Sequence, residues 1–184
     1  QPSNSMCPTC FSSPQGMDVD EAGNVYVADL NHHVIKKISD IGGAIEVTRI
    51  AGIENTAGYV NDQNSLFARF KSPGDVALDA QGNIYVADET NRCIRKIVKI
   101  GAMTYAVSLF SGDTSTLNLE ADNTTLLLAR YTRPVGVAIG EAGKLFVTEY
   151  SKNRLRMLDF NTPSGFVTTI LGNASGNAGD LSTP

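Results

Sequence analysis

The chain lacks tryptophan, has only two histidines and three cysteines, and contains no apolar run near the roughly 20 residues that a membrane-spanning helix needs. The two histidines, His32 and His33, are adjacent. They therefore do not form the spaced pair that a zinc site would combine with Cys7-Pro8-Thr9-Cys10. A redox CxxC sits at a helix start in a βαβ setting, and none surrounds this one. The expectation is a local disulfide between Cys7 and Cys10, or two free thiols near a terminus. A net charge of -4 lacks the positive excess that nucleic acid or an anionic membrane demands. The N-terminus carries no apolar leader-like stretch, and a start at Gln1 instead of Met is expected of a processed or incomplete chain.

What is present is a globular composition, 42% hydrophobic, with an internal repeat. Ser13 to Asp29 recurs at Ser72 to Asp88 and, with more drift, from Arg133 to Glu149. Pro14, Pro73 and Pro134 anchor the copies, as do Gly23, Gly82 and Gly143. A second part follows at His33–Ile38, Arg92–Ile97 and Asn153–Leu158. A third part ends on Gly52, Gly112 and Gly172, each 60 residues from the next. Phe11, Phe70 and Tyr131 precede the first strand of each copy.

Each unit reads as four short strands, around Met17–Asp20, Asn24–Ala28, Val34–Ile38 and Glu46–Ile50 in the first copy. Gly23 and Gly82 stand where a hairpin loop needs positive φ. The second strand, Val25-Tyr26-Val27-Ala28, is apolar throughout instead of alternating, which predicts burial on both faces. Stacked propeller blades bury a strand in that way. The fold class is therefore all-β: three four-stranded antiparallel blades at about 11–52, 70–112 and 131–172, in a single segment 1–184 with flanks 1–10 and 173–184.

The stretch Pro73 to Ile97, with Gly-Asn-Ile-Tyr-Val-Ala-Asp and Asn-Arg-Cys-Ile-Arg-Lys-Ile, resembles an NHL repeat. The resemblance extends to Pro14–Ile38 and Pro134–Leu158 and implies a β-propeller. Three blades fall short of the roughly 4–8 that close a ring. The ends are thus expected to be covered by the rest of a longer propeller, by a second copy giving six blades, or by head-to-tail assembly.

Asp29, Asp88 and Glu149 occupy equivalent places after the second strand. A calcium or catalytic carboxylate set is one reading. Repetition in register with the fold favours a structural role, accepting hydrogen bonds from turn amides. Lys36, Lys37, Arg95, Lys96, Lys99, Arg154 and Arg156 place basic residues on each third strand and are expected to face solvent. Some animal relatives bind RNA through a basic face, but this chain's charge and sparse aromatics weigh against it. His33 is expected in a surface loop, and Cys93 packed in a strand. Asp75 is the one acid near the inner strands without a counterpart in the other units. Asn123 and Asn173 lie in N-glycosylation sequons in the long interblade segments, favouring an extracellular protein.

No catalytic, metal or cofactor residue is assigned. The expectation is a non-enzymatic extracellular module for protein–protein contact or structural self-assembly, with protein, itself included, as partner. The alternative is a fragment of a propeller enzyme, a metal-dependent lyase or lactonase-like hydrolase; an RNA-binding NHL domain ranks below both.

Overall fold

The computed structural model describes residues 10–112, 114 and 124–172. Twelve strands form three four-stranded antiparallel sheets, each a meander in chain order. The first sheet is β1 (Pro14–Val19), β2 (Val25–Asp29), β3 (Val34–Ile41) and β4 (Ala44–Ala51). The second is β5 (Pro73–Leu78), β6 (Ile84–Asp88), β7 (Cys93–Lys99) and β8 (Tyr105–Ser111). The third is β9 (Pro134–Gly140), β10 (Lys144–Glu149), β11 (Arg154–Asp159) and β12 (Phe166–Leu171). These are propeller blades, and three of them leave the ring open.

Local chemistry explains the meander. In the first two blades an Asp opens the β1–β2-type hairpin, its carboxylate accepting from the amides two and four residues on: Ala22 and Asn24 for Asp20, Gln81 and Asn83 for Asp79. The Asn side chain and the tyrosine hydroxyl of the next strand bond to the same carboxylate. Gly23 and Gly82 follow at φ +82° and +76°. The third blade has Gly140 and Lys144 at these places, and its turn uses Ala142 and Gly143 at positive φ. The glycine after each fourth strand is confined by sterics: a Cβ on Gly52 would meet the carbonyl of His33 at 2.6 Å, and one on Gly112 would meet Cys93 Cβ at 2.9 Å.

The second blade is a double-sided core element. All five residues of β6 are buried. Alternation along the strand sends Ile84 and Val86 to one face and Tyr85 and Ala87 to the other. The first face meets Tyr26, Ala28 and Ile35 of blade 1, joined by Ala68 and Phe70. The second meets Leu145, Val147 and Leu158 of blade 3. Tyr85, Phe110 and Phe160 stack edge-to-face or tilted in that second junction, with ring centroids 4.8–5.9 Å apart. Described parts of the segments before blades 2 and 3 turn back over the sheet they lead into. Asp62 pairs with Val107 of β8 and Thr124 with Val167 of β12, which covers those edge strands.

Candidate functional site

The acids at the ends of the second strands are the centres of three buried polar clusters of the same design. Asp29, Asp88 and Glu149 are buried, and each accepts a backbone amide from the segment leading into its own blade. Those bonds are Ser12 N at 2.7 Å, Lys71 N at 2.8 Å and Thr132 N at 2.7 Å. The other oxygen of each acid faces a buried cation from the third strand. Lys36 Nζ lies 3.0 Å from Asp29, Arg95 Nη1 donates to Asp88 at 3.0 Å, and Arg154 Nε donates to Glu149 at 2.6 Å with Arg156 Nη1 at 3.5 Å. Lys36, Arg95 and Arg156 each lie over the aromatic ring of Phe11, Phe70 or Tyr131, 5.1–5.2 Å from its centroid. They also donate to the carbonyls of Cys10, Arg69 and Arg130, respectively.

This corrects the solvent-facing reading of the basic third strands. Lys36, Arg95, Arg154 and Arg156 are buried, while Lys37 and Lys96 are half-buried and Lys99 is exposed. The physical reason is that a carboxylate enclosed by the chain's own lead-in segment needs a counter-charge from the facing strand. The amides that the acids bind are likewise not those of an adjacent turn; they belong to the strand-entering segment far upstream in sequence. Sequence reasoning left out Glu54, which sits 3.0 Å from Lys36 Nζ, and Asn61, whose Oδ1 accepts from Arg95 Nη2 at 2.7 Å. Both lie in a lead-in segment whose path no local pattern fixes.

A second polar group lies along the inner strands. Asp75 of β5 accepts from its own neighbour Val76 N at 2.8 Å and from Val137 N of β9 at 2.9 Å, tying blade 2 to blade 3. Gly16 of blade 1 leaves room for it: a Cβ there would collide with the Asp75 carboxylate. Asp18 makes the corresponding tie from β1, accepting from Leu78 N at 2.8 Å. Burial, aided by the charge of Asp18, raises the Asp75 pKa against the pull of its amide bonds. Close by is Glu89, buried and paired with Arg133 at 2.5 Å, with Arg133 stacked on the ring of Tyr150. Glu89 and Arg133 were not singled out in the sequence; their signal was that Leu30 and Tyr150, and Ser13 and Ser72, fill the equivalent places.

His33 is half-buried with φ +60°, and its Nδ1 accepts from Ser72 N at 3.1 Å across the junction to blade 2. Burial lowers its pKa. His32 Nδ1 is 2.7 Å from Asp29 and belongs to the first cluster. Cys93 is a buried free thiol, its pKa raised by burial. Cys10 is disulfide-bonded. Cys7, Asn123 and Asn173 lie outside the described residues. Among the described residues no group of three or more His, Cys, Asp or Glu side chains is placed to hold a metal ion, and no helix is long and apolar enough to cross a membrane.

The NHL repeat model matches residues 11–38 and 70–97. No curated protein matches the chain. Among solved structures, the chain is similar to an auxiliary nutrient binding protein from Bacteroides ovatus at 14% identity and TM-score 0.64, over 79% of this chain and 37% of that one. A protein of unknown function from Bacteroides thetaiotaomicron is 24% identical with TM-score 0.60, over 79% and 32%. Virginiamycin B lyase from Staphylococcus aureus is 18% identical with TM-score 0.53, over 89% and 43%. The chain thus spans less than half the length of each of these proteins, and the likeness is one of fold. This chain is an arc of a β-propeller, with NHL repeats at 11–38 and 70–97.

Proposed function

We propose that the chain acts as a non-enzymatic extracellular propeller module for protein–protein contact or structural self-assembly. The observation that carries this reading is where its polar and apolar groups are spent. The repeated acids and cations are used up inside the blades, on one another and on backbone groups. Large apolar side chains stand exposed on the first blade: Met17 is 68% and Val19 52% exposed. Surfaces of that kind bind protein. The burial of Lys36, Arg95, Arg154 and Arg156 removes most of the basic face that RNA binding would use.

The enzyme alternative has one observation in its favour. Asp75 is a half-buried carboxylate of raised pKa on the inner strands, and one structural neighbour is a lyase. The hydrogen bonds to Val76 and Val137 account for the same carboxylate without chemistry. The test is metal content by mass spectrometry together with turnover of a panel of lactones and cyclic esters. No retained metal and no turnover is the expected result. Turnover that is lost in Asp75→Asn with the fold intact would replace this reading with the enzymatic one.

A further inference from the structure

The turn between β2 and β3 of blade 1 reaches the entry of blade 2 through His33. Its Nδ1 accepts from the amide of Ser72 at 3.1 Å, and Ser72 stands one residue before the proline that opens β5. An amide only donates, so this bond requires an unprotonated Nδ1, with the ring's proton on Nε2. Lys71 is held from the other side: its amide donates to Asp88 Oδ1 at 2.8 Å, and its carbonyl accepts from Thr90 N at 3.1 Å. The entry of blade 2 is thus pinned to its own blade at Lys71 and to blade 1 at Ser72. Both partners in the cross-blade bond hold left-handed backbone, φ +60° at His33 and +55° at Ser72. That conformation is disfavoured for residues with a side chain and persists where contacts enforce it.

A proton on Nδ1 turns the acceptor into a donor aimed at another donor, and the bond cannot survive it. Burial lowers the His33 pKa from 6.5; the Leu30 carbonyl works against this, and the charges of His32 on the same turn and Lys71 on the entry segment add to it. The acids of the adjoining clusters are committed elsewhere: Asp29 to His32 and Lys36, Glu54 to Lys36, and Asp88 to Arg95. A folded-state value below the unfolded one means that the stabilisation from the neutral ring is present above about pH 6.5 and is lost as pH falls through the lower folded value. The repeat makes this junction unlike the next. The places equivalent to His33 are Arg92 and Asn153, at φ +58° and +48°. Arginine stays charged and asparagine uncharged across the range in which histidine titrates.

We infer that His33 is a proton-operated latch: neutral, it holds the entry of blade 2 against the β2–β3 turn of blade 1, and on protonation it releases that edge of the junction. The opening is local. The shared core of the two blades and the bond from Leu78 N to Asp18 remain as ties when the latch opens.

Amide exchange on the full chain, read by NMR as protection factors of single amides, tests this. In the wild type, Ser72 protection should fall about tenfold between about pH 7.5 and 4.5, the worth of one hydrogen bond. Gly112, whose amide is held by the Leu126 carbonyl at the second junction, should stay level. His33→Asn tolerates the left-handed backbone and offers an acceptor that does not titrate, so Ser72 should stay protected throughout. His33→Arg offers no acceptor and should leave Ser72 weakly protected at every pH. Asp88 is intact in both variants, so any response it transmits through Lys71 persists in them and is separated from that of His33. Circular dichroism checks the fold of each variant. The imidazole's own titration, followed by its ring-carbon shifts in the wild type, needs no variant and should share its midpoint with the Ser72 change. Four results would overturn the inference: no protection of Ser72 at about pH 7.5, protection that ignores pH in the wild type, the same fall in His33→Asn, or different midpoints for the ring and the Ser72 amide.

Discussion

At the scale of single residues, the molecule depends on compensation of buried charge. Asp88 is fully enclosed, and burial raises its pKa from 3.8 to about 6 even though Arg95, Asn91 and the Lys71 amide favour the ionised form. A folded-state value above the unfolded one means that the native chain keeps a proton which the unfolded chain has released. The stabilisation from this group is present in full below about pH 4 and is lost as pH rises through about 6. Stability in Asp88→Asn should therefore fall less between about pH 4 and 6.5 than in the wild type, as read from urea midpoints across that range. Arg95→Met should cost about 3–5 kcal/mol at pH 7, because it leaves a buried acid without its cation. The double variant Asp88→Asn with Arg95→Met should be more stable than Arg95→Met alone, the sign of coupling that a double-mutant cycle detects.

At the scale of elements, the repeated glycines divide by what surrounds them. Gly82 sits in an open hairpin at φ +76° with nothing within 4 Å of where an added methyl would stand, so Gly82→Ala should cost about 1 kcal/mol of backbone strain. Gly112 combines φ +118° with Cys93 Cβ at 2.9 Å and Cys93 Cα at 3.0 Å from such a methyl. Gly112→Ala should cost about 2–4 kcal/mol, the sum of strain and overpacking. Chemical denaturation of the pair separates the two effects. The inner strands are joined differently, through side chain to backbone. Asp75→Ala frees the amides of Val76 and Val137 and should cost about 1–3 kcal/mol.

At the scale of the whole molecule, each blade shares its core with the next, so damage should spread across a junction before it spreads along the chain. Tyr85 belongs to the blade 2–blade 3 core and touches Phe110 and Phe160. Tyr85→Ala should cost about 3–5 kcal/mol. In native-state hydrogen exchange the loss of protection should be greatest in β6, β7, β10 and β11 and smallest in β2 and β3, as nearest-neighbour coupling between repeats requires. Equal loss in all three blades would show a single cooperative unit instead.

The sequence by itself determined the number of blades, the strand order within each, and the buried second strand. Those features are written in local periods: a continuous apolar run such as Ile84 to Ala87, a turn Asp followed by Gly, and a glycine every 60 residues. It also displayed every member of the three polar clusters' repeating part, the aromatic, the acid and the cation, because each recurs in register. It did not reveal that they meet. Lys36, Arg95 and Arg156 look like surface residues until the lead-in segment folds over them, and that segment's course depends on contacts between residues such as Asn61 and Arg95 that no short-range pattern encodes. Tertiary structure alone decided which charges are buried and that Asp75 reaches from one blade to the next. The reason is physical: periodicity fixes which way a side chain points, whereas burial and pairing depend on what the rest of the chain brings opposite to it.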